Sequence, residues 1–264
     1  MNNPLIGIVG GNGRMGIWFK KLFEEHGLSV SVSDMNTPMT ARDLAEKCQV
    51  VIISVPIART EEVISEVGPY VREDGLLMDL TSVKTRPMQA MLEHSRCEVV
   101  GGHPLFGPKE SSIKGRGVAL CPGRGEKWLA WMTELLQKMG ARVLIISPEK
   151  HDRVMAAVQG LTHSSTLALA MAVSKTGYTQ EELDTYTTTS FTYLRKQMAR
   201  TLGQDADLIA QILTLNPAIL ETVSLLESQV RTLKEIIQRG NYEECSELIR
   251  RTQAYLEPEN RGGG

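Results

Sequence analysis

The chain has 264 residues, 42% hydrophobic and 23% charged, with a formal net charge of −2, room enough for two domains of ordinary size. Acids and bases are mixed along it, and no basic arm or lysine run marks a nucleic-acid or anionic-membrane partner. No apolar stretch reaches the roughly 18 residues of a membrane span, and Cys48, Cys97, Cys121 and Cys245 lie far apart without a CxxC pair, so free thiols in a reducing cytoplasm are expected.

Met1-Asn2-Asn3-Pro4 leads directly into the first apolar run, so no signal peptide is expected. Short β-branched runs then alternate with amphipathic stretches. Strands are predicted at 4–10, 28–33, 50–55, 76–80, 97–101, 117–121 and 142–146, with helices at 14–26, 40–48, 60–70, 87–94 and 126–139. Most of these strands are apolar on both faces, as burial between two helical layers requires. Residues 1–148 are therefore expected to form a Rossmann-type, doubly wound, mostly parallel α/β sheet.

From Glu149 the spacing becomes helical, and 149–256 is expected to be an all-helical substrate and dimerisation domain. Lys150 to Lys175 carries little charge past its first turn and is predicted to be one long core helix. A further helix is predicted over Ser190–Leu202. Asn216-Pro217 supplies an N-cap and N1 proline, and Arg239-Gly240 the basic last turn and C′ glycine, of the next. Along that helix Ile219, Val223, Leu226, Val230, Leu233 and Ile237 form a narrow stripe, suited to intradomain core or to a second copy of the chain; a homodimer is expected. The polar, Gly-rich 257–264 is expected to be a disordered tail.

Gly11-Asn12-Gly13-Arg14-Met15-Gly16 follows a strand and opens a helix. Gly11 permits the turn, Gly13 lets the backbone approach a pyrophosphate, and Gly16 lets the helix pack on the strand. Free N–H groups at the helix start favour an anion. A lone GxGxxG is weak, but Asp34 ends the next strand 18 residues beyond Gly16, where its carboxylate can accept from an adenosine ribose diol. The cofactor residues expected are Gly11, Asn12, Gly13, Arg14, Met15, Gly16, Asp34, Val55 and Pro56. The acid favours NAD over NADP, with Arg14 and Arg42 the basic residues that oppose this preference.

The strand ending Met78-Asp79-Leu80 runs into Thr81-Ser82-Val83-Lys84, and the strand ending Val99-Val100 into Gly101-Gly102-His103-Pro104-Leu105-Phe106-Gly107-Pro108. The helical half opens with His151-Asp152-Arg153-Val154-Met155-Ala156-Ala157-Val158-Gln159-Gly160-Leu161-Thr162-His163. In this order and spacing the three segments resemble the prephenate/arogenate dehydrogenase family of tyrosine biosynthesis, from Pro4 to about Leu256.

Ser82 and His103 fall just past strand ends, at the edge that faces the ligand crevice of an open α/β sheet. A neutral imidazole there can accept a substrate hydroxyl proton while hydride leaves the same carbon. The bland alternatives are a histidine in a Gly-Pro turn and a serine N-cap. The resemblance implies the catalytic roles for His103 and Ser82, and a substrate-lining role for His163, which the helix alone would present as a core histidine. Lys196 and Arg200 stand one helical turn apart with Arg195 adjacent, like charges that an anion would rationalise; the alternative is a solvated basic face. The resemblance implies that Arg200 binds a substrate carboxylate. Lys109 is a weaker candidate, and His26, His94 and His151 read as surface or helix-end residues.

The expected reaction is NAD-dependent oxidative decarboxylation of prephenate to 4-hydroxyphenylpyruvate without a metal, His103 titrating near the reference value of ~6.5. Alternatives are arogenate as substrate, another dehydrogenase pairing a Rossmann domain with a helical one, and a non-catalytic nucleotide sensor. No mutase-like segment or regulatory module is evident beside these halves, so a monofunctional enzyme is expected, with tyrosine inhibition left open.

Overall fold

A computed structural model describes residues 3–256, so the tail predicted at 257–264 lies outside the described residues. In chain order the first half runs β1 (Ile6–Val9), α1 (Arg14–Glu25), β2 (Val30–Ser33), α2 (Ala41–Lys47), β3 (Val50–Ile53), α3 (Ile57–Val67), β4 (Leu76–Asp79), α4 (Thr85–His94), β5 (Glu98–Pro104), β6 (Gly117–Arg124), α5 (Lys127–Lys138) and β7 (Arg142–Ile145). Every described element after β7 is helical: α6 (Pro148–Met155), a π segment (Ala156–Gly160), α7 (Leu161–Ser174), α8 (Gln180–Thr185), α9 (Thr189–Leu202), α10 (Ala206–Leu215), α11 (Ile219–Arg239) and α12 (Tyr242–Leu256). No single described helix is long and apolar enough to cross a membrane.

The seven strands lie in the order β2-β1-β3-β4-β5-β6-β7. Strands β1 to β5 pair in parallel, β6 pairs antiparallel with β5, and β7 runs parallel to β6. The sheet is thus mostly parallel, as expected. Successive strand residues point to opposite faces, and both faces are covered. Ile6, Ile8, Ile52, Leu76 and Met78 pack with Phe19, Phe23 and Trp128 in one layer. Val51, Ile53 and Leu77 pack with Leu44, Ile64, Met88 and Met91 in the other. All four cysteines are free. Burial pushes the Cys48 thiol up to about 11 and the Cys121 thiol up to about 12, so both stay protonated packing residues.

Three helix starts differ from the sequence reading. Helix α3 begins at Ile57, directly behind Pro56. Helix α4 begins at Thr85 because a distant carboxylate, Asp152, caps it. The expected single helix over 150–175 begins earlier, with Ser147 as N-cap, and is interrupted by the π segment. It is not a core helix within this chain. Helix α7 buries only His163 and Thr166 and leaves Leu167 and Met171 38% and 58% exposed. The chain's own α9 and α10 pack against it but leave much of its apolar surface uncovered.

Contacts group the described residues into two compact units that divide after Ile219. In the first, the Asn216 side chain accepts from Ala218 N at 3.0 Å and donates to the Asp152 carbonyl at 2.9 Å, ending α10 and starting the turn into α11. In the second, Gly240 takes a φ of 64° after α11, and Asn241 caps the start of α12 through Glu244 N. Val230, Leu233 and Ile237 of the predicted stripe are exposed, whereas Ile236, outside it, is buried.

Ile52 lies on the interior strand β3 with 1% exposure. Ile52→Ala is expected to lower unfolding free energy by about 2–5 kcal/mol, the usual cost of a cavity at a buried isoleucine, as measured by urea denaturation.

Candidate active site

Strand β2 lies on one side of β1 and β3 on the other, so the crevice at the carboxyl ends of β1 and β3 is the switch point where open α/β sheets bind ligands. The residue that needs left-handed backbone there is Gly10, with φ 79°, rather than Gly11. Gly11 is required for another reason: a Cβ would stand 2.4 Å from Val32 Cγ1. At Gly16 a Cβ would stand 2.5 Å from the Gly10 carbonyl. Gly13 is the N-cap of α1 and brings no side-chain cap, which leaves the first-turn N–H groups open to an anion.

Asp34 accepts from Asn12 N at 2.9 Å and Met35 N at 2.8 Å, so the acid is anchored beside the turn. Met15 packs against the core, Val55 flanks Gly10, and exposed Pro56 caps α3. Arg42 is engaged on α2, with Glu46 at 2.9 Å and its guanidinium over the Tyr70 ring. An open helix start, glycines where a Cβ would collide and a carboxylate after β2 together fit a nicotinamide dinucleotide.

At the ends of β4 and β5 a set of buried polar side chains meets α6. Asp79 accepts from Thr81 N and Oγ1 and pairs with Lys84, both carboxylate and ammonium being wholly buried. Lys84 Nζ also donates to the Gly102 carbonyl at 2.7 Å, tying β4 to β5. Gly102 has no room for a side chain, since a Cβ would stand 2.8 Å from the Asp79 carbonyl oxygen. Asp152 accepts from Lys84 N at 2.8 Å and from Thr85 N at 2.9 Å and Oγ1 at 2.6 Å. It is the N-cap that α4 lacks locally, and Ser82 is therefore left half-buried and free of a capping role.

Asp152 Oδ1 also stands 2.9 Å from His151 Nδ1, and His151 Nε2 stands 2.9 Å from His103 Nδ1. A carboxylate can only accept, so a neutral His151 carries its proton on Nδ1 and its Nε2 accepts from His103 Nδ1–H. His103 Nε2 is then the bare lone pair of the chain, and among the described residues it makes no hydrogen bond. Burial first, with the Lys84 ammonium adding to it, holds His103 well below its ordinary 6.5, against the pull of Asp152. At Asp152 burial is the largest influence and acts upward, but hydrogen bonds from His151, Thr85 and the Lys84 and Thr85 backbone outweigh it and lower the carboxyl.

His163, on α7, is 7% exposed, and its Nδ1 and the Oε1 of Gln159 are buried without a partner. Burial lowers His163 as well. An unmet polar pair one turn apart, beside a π segment, is a common mark of a binding position. Lys196 and Arg200 are exposed on α9, and Arg195 pairs with Asp184. A shallow groove of about 360 Å³ runs along α9 past Lys196, but it holds none of Ser82, His103 or His163.

The chain matches two family models in succession: "Prephenate dehydrogenase, nucleotide-binding domain" over residues 19–145 and "Prephenate dehydrogenase, dimerization domain" over residues 147–251. It belongs to the prephenate/arogenate dehydrogenase family. A "Probable arogenate/prephenate dehydrogenase" of Methanocaldococcus jannaschii is 32% identical over 99% of this chain, and a "T-protein" of Enterobacter agglomerans 34% identical over 89%. The chain spans 63% and 62% of their respective lengths. Among solved structures, a prephenate dehydrogenase from A. aeolicus in complex with hydroxyphenyl propionate and NAD+ superposes with a TM-score of 0.80 at 22% identity, over 97% of this chain and 98% of that one. Synechocystis arogenate dehydrogenase gives 0.78 at 18%, over 96% and 99%.

In this chain His103 is not beyond its strand, as the sequence suggested. Strand β5 continues to Pro104 because β6 pairs with it, opposing His103 to Ala119. Of the reading of His151 as a surface or helix-end residue, the helix-end half holds, since it lies in the first turn of α6, and the surface half does not. His151 is 1% exposed, because the first turn of α6 packs on the start of α4 instead of facing solvent. His26 and His94 are exposed as expected. Lys84, His151 and Asp152 were all missed as site residues. The one available signal was their place within the segments that carried the family likeness.

The expected titration of His103 near 6.5 also needs correction. Lowering means that the neutral ring, the form able to accept a proton, persists to more acid pH. Nitrogen-15 NMR of the histidine rings is expected to show His103 as the neutral Nδ1–H form with a midpoint below 6.5; a midpoint at or above 6.5 contradicts the buried chain.

Proposed function

We propose that the protein is an NAD-dependent prephenate dehydrogenase that converts prephenate to 4-hydroxyphenylpyruvate and carbon dioxide. The observation that carries this reading is the buried chain from Asp152 through His151 to a bare His103 Nε2, at the same edge of the sheet as the cofactor turn. The nicotinamide supplies the hydride acceptor when bound. His103 Nε2 takes the proton of the substrate hydroxyl as that carbon is oxidised, and returns it to the ring oxygen once decarboxylation has made the ring aromatic. His151 and Asp152 fix the tautomer and receive the imidazolium charge. Ser82, in the loop between β4 and α4 with an uncommitted hydroxyl, orients the imidazole or the substrate. His163 lines the ring pocket, and Arg200, with Lys196, meets a carboxylate. Anchored Asp34 favours NAD over NADP, and Arg42, held by Glu46 and Tyr70, does not offset it.

We also propose a homodimer. The exposed apolar surface of α7 at Leu167 and Met171, the stripe at Val230, Leu233 and Ile237, and the match to a dimerization-domain model support it. Arogenate is the second reading, because the names of the similar M. jannaschii and Synechocystis proteins include it.

Assays of prephenate and arogenate, each with NAD+ and NADP+, test the assignment; the highest kcat/KM is expected for prephenate with NAD+. His103→Asn is expected to cut kcat by about 10²–10⁴-fold, the usual share of a general base, with NAD+ affinity retained. Turnover that survives would remove His103 from the reaction. Arg200→Ala is expected to raise KM for prephenate by about tenfold or more, in line with loss of a charge-assisted contact; an unchanged KM would remove the carboxylate role.

A further inference from the structure

Arg14 is the first residue of α1, directly behind Gly13, and its side chain is 64% exposed at the cofactor turn. Its Nη2 donates to Asp205 Oδ2 at 2.8 Å, across 191 residues of sequence. Asp205 is a fixed charge. Its Oδ1 caps α10 by accepting from Asp207 N at 3.1 Å and Leu208 N at 3.2 Å, and α10 is seated through buried Ile209 and Ile212. Six residues on, Gln211 Oε1 accepts from Ala58 N at 3.0 Å, in the open first turn of α3. Helix α10 is therefore fastened to the first turns of α1 and α3, the helices that follow β1 and β3 at the switch-point crevice.

This arrangement sets a carboxylate where a dianionic pyrophosphate must enter. An exposed ion pair of this kind contributes little, whereas a guanidinium fork matches two phosphate oxygens at once. On the reading of the turn as a nicotinamide dinucleotide site, we propose that Arg14 is a pyrophosphate ligand held in reserve by Asp205. Cofactor binding exchanges the Arg14–Asp205 pair for an Arg14–phosphate pair, and Asp205 opposes binding while it continues to cap α10.

Titration calorimetry with NAD+, ADP-ribose and adenosine tests this. Asp205→Asn keeps a good N-cap and removes the competing charge, so NAD+ and ADP-ribose are expected to bind about two- to fivefold tighter. Arg14→Gln is expected to weaken both about tenfold and to leave adenosine unchanged. In the Arg14→Gln background, the gain from Asp205→Asn is expected to shrink below about twofold, as two residues acting on one contact are not additive. Unchanged or weaker binding by Asp205→Asn, or unchanged ADP-ribose binding by Arg14→Gln, overturns the proposal alone. A wild-type protein that binds neither NAD+, NADP+ nor ADP-ribose overturns the dinucleotide site itself.

Discussion

The Asp152 carboxylate is 2% exposed and accepts four hydrogen bonds: from Lys84 N, Thr85 N, Thr85 Oγ1 and His151 Nδ1. A buried charge is tolerated only when it is met on all sides, and here the groups that meet it come from two halves of the sequence. Three belong to the start of α4, at the end of the β4 loop. The fourth is the ring that orients His103. One constraint therefore closes a helix terminus, holds the Ser82 loop in place and sets which nitrogen of His103 is bare. Lys84 completes the arrangement from the other side, joining Asp79 to the Gly102 carbonyl one residue before His103.

The sheet was legible in the sequence because its signal is local and repeated. Val50–Ile53 is apolar throughout and Leu76–Asp79 at every position but the last, as a strand covered on both faces must be. What lengthened β5 to Pro104 was an antiparallel partner, and no periodicity within Glu98–Pro104 announces that. Helix α4 starts before its apolar pattern does, because its cap arrives from a residue 67 positions away. The core reading of the 150–175 helix failed for a related reason: apolar composition shows that a surface needs cover, not which molecule covers it.

The cofactor turn was readable in kind, though the work is divided differently among its glycines, with Gly10 taking the left-handed backbone and Gly11 making room for Val32. His103 stood out through its neighbours Gly102 and Pro104. His151 did not, because a histidine in a first helical turn looks exposed until its partner is known. The Arg14–Asp205 pair was equally invisible, since the two residues come together only when α10 is laid against the first turns of α1 and α3.

A crystal structure of the complex with NAD+ and 4-hydroxyphenylpyruvate would test the central claim most directly. The geometry described here requires His103 Nε2 within about 2.6–3.2 Å of the phenolic oxygen, the reach of a proton transfer, while His103 Nδ1 keeps its hydrogen bond to His151. A phenolic oxygen held by another side chain, with Nε2 facing protein, would contradict it.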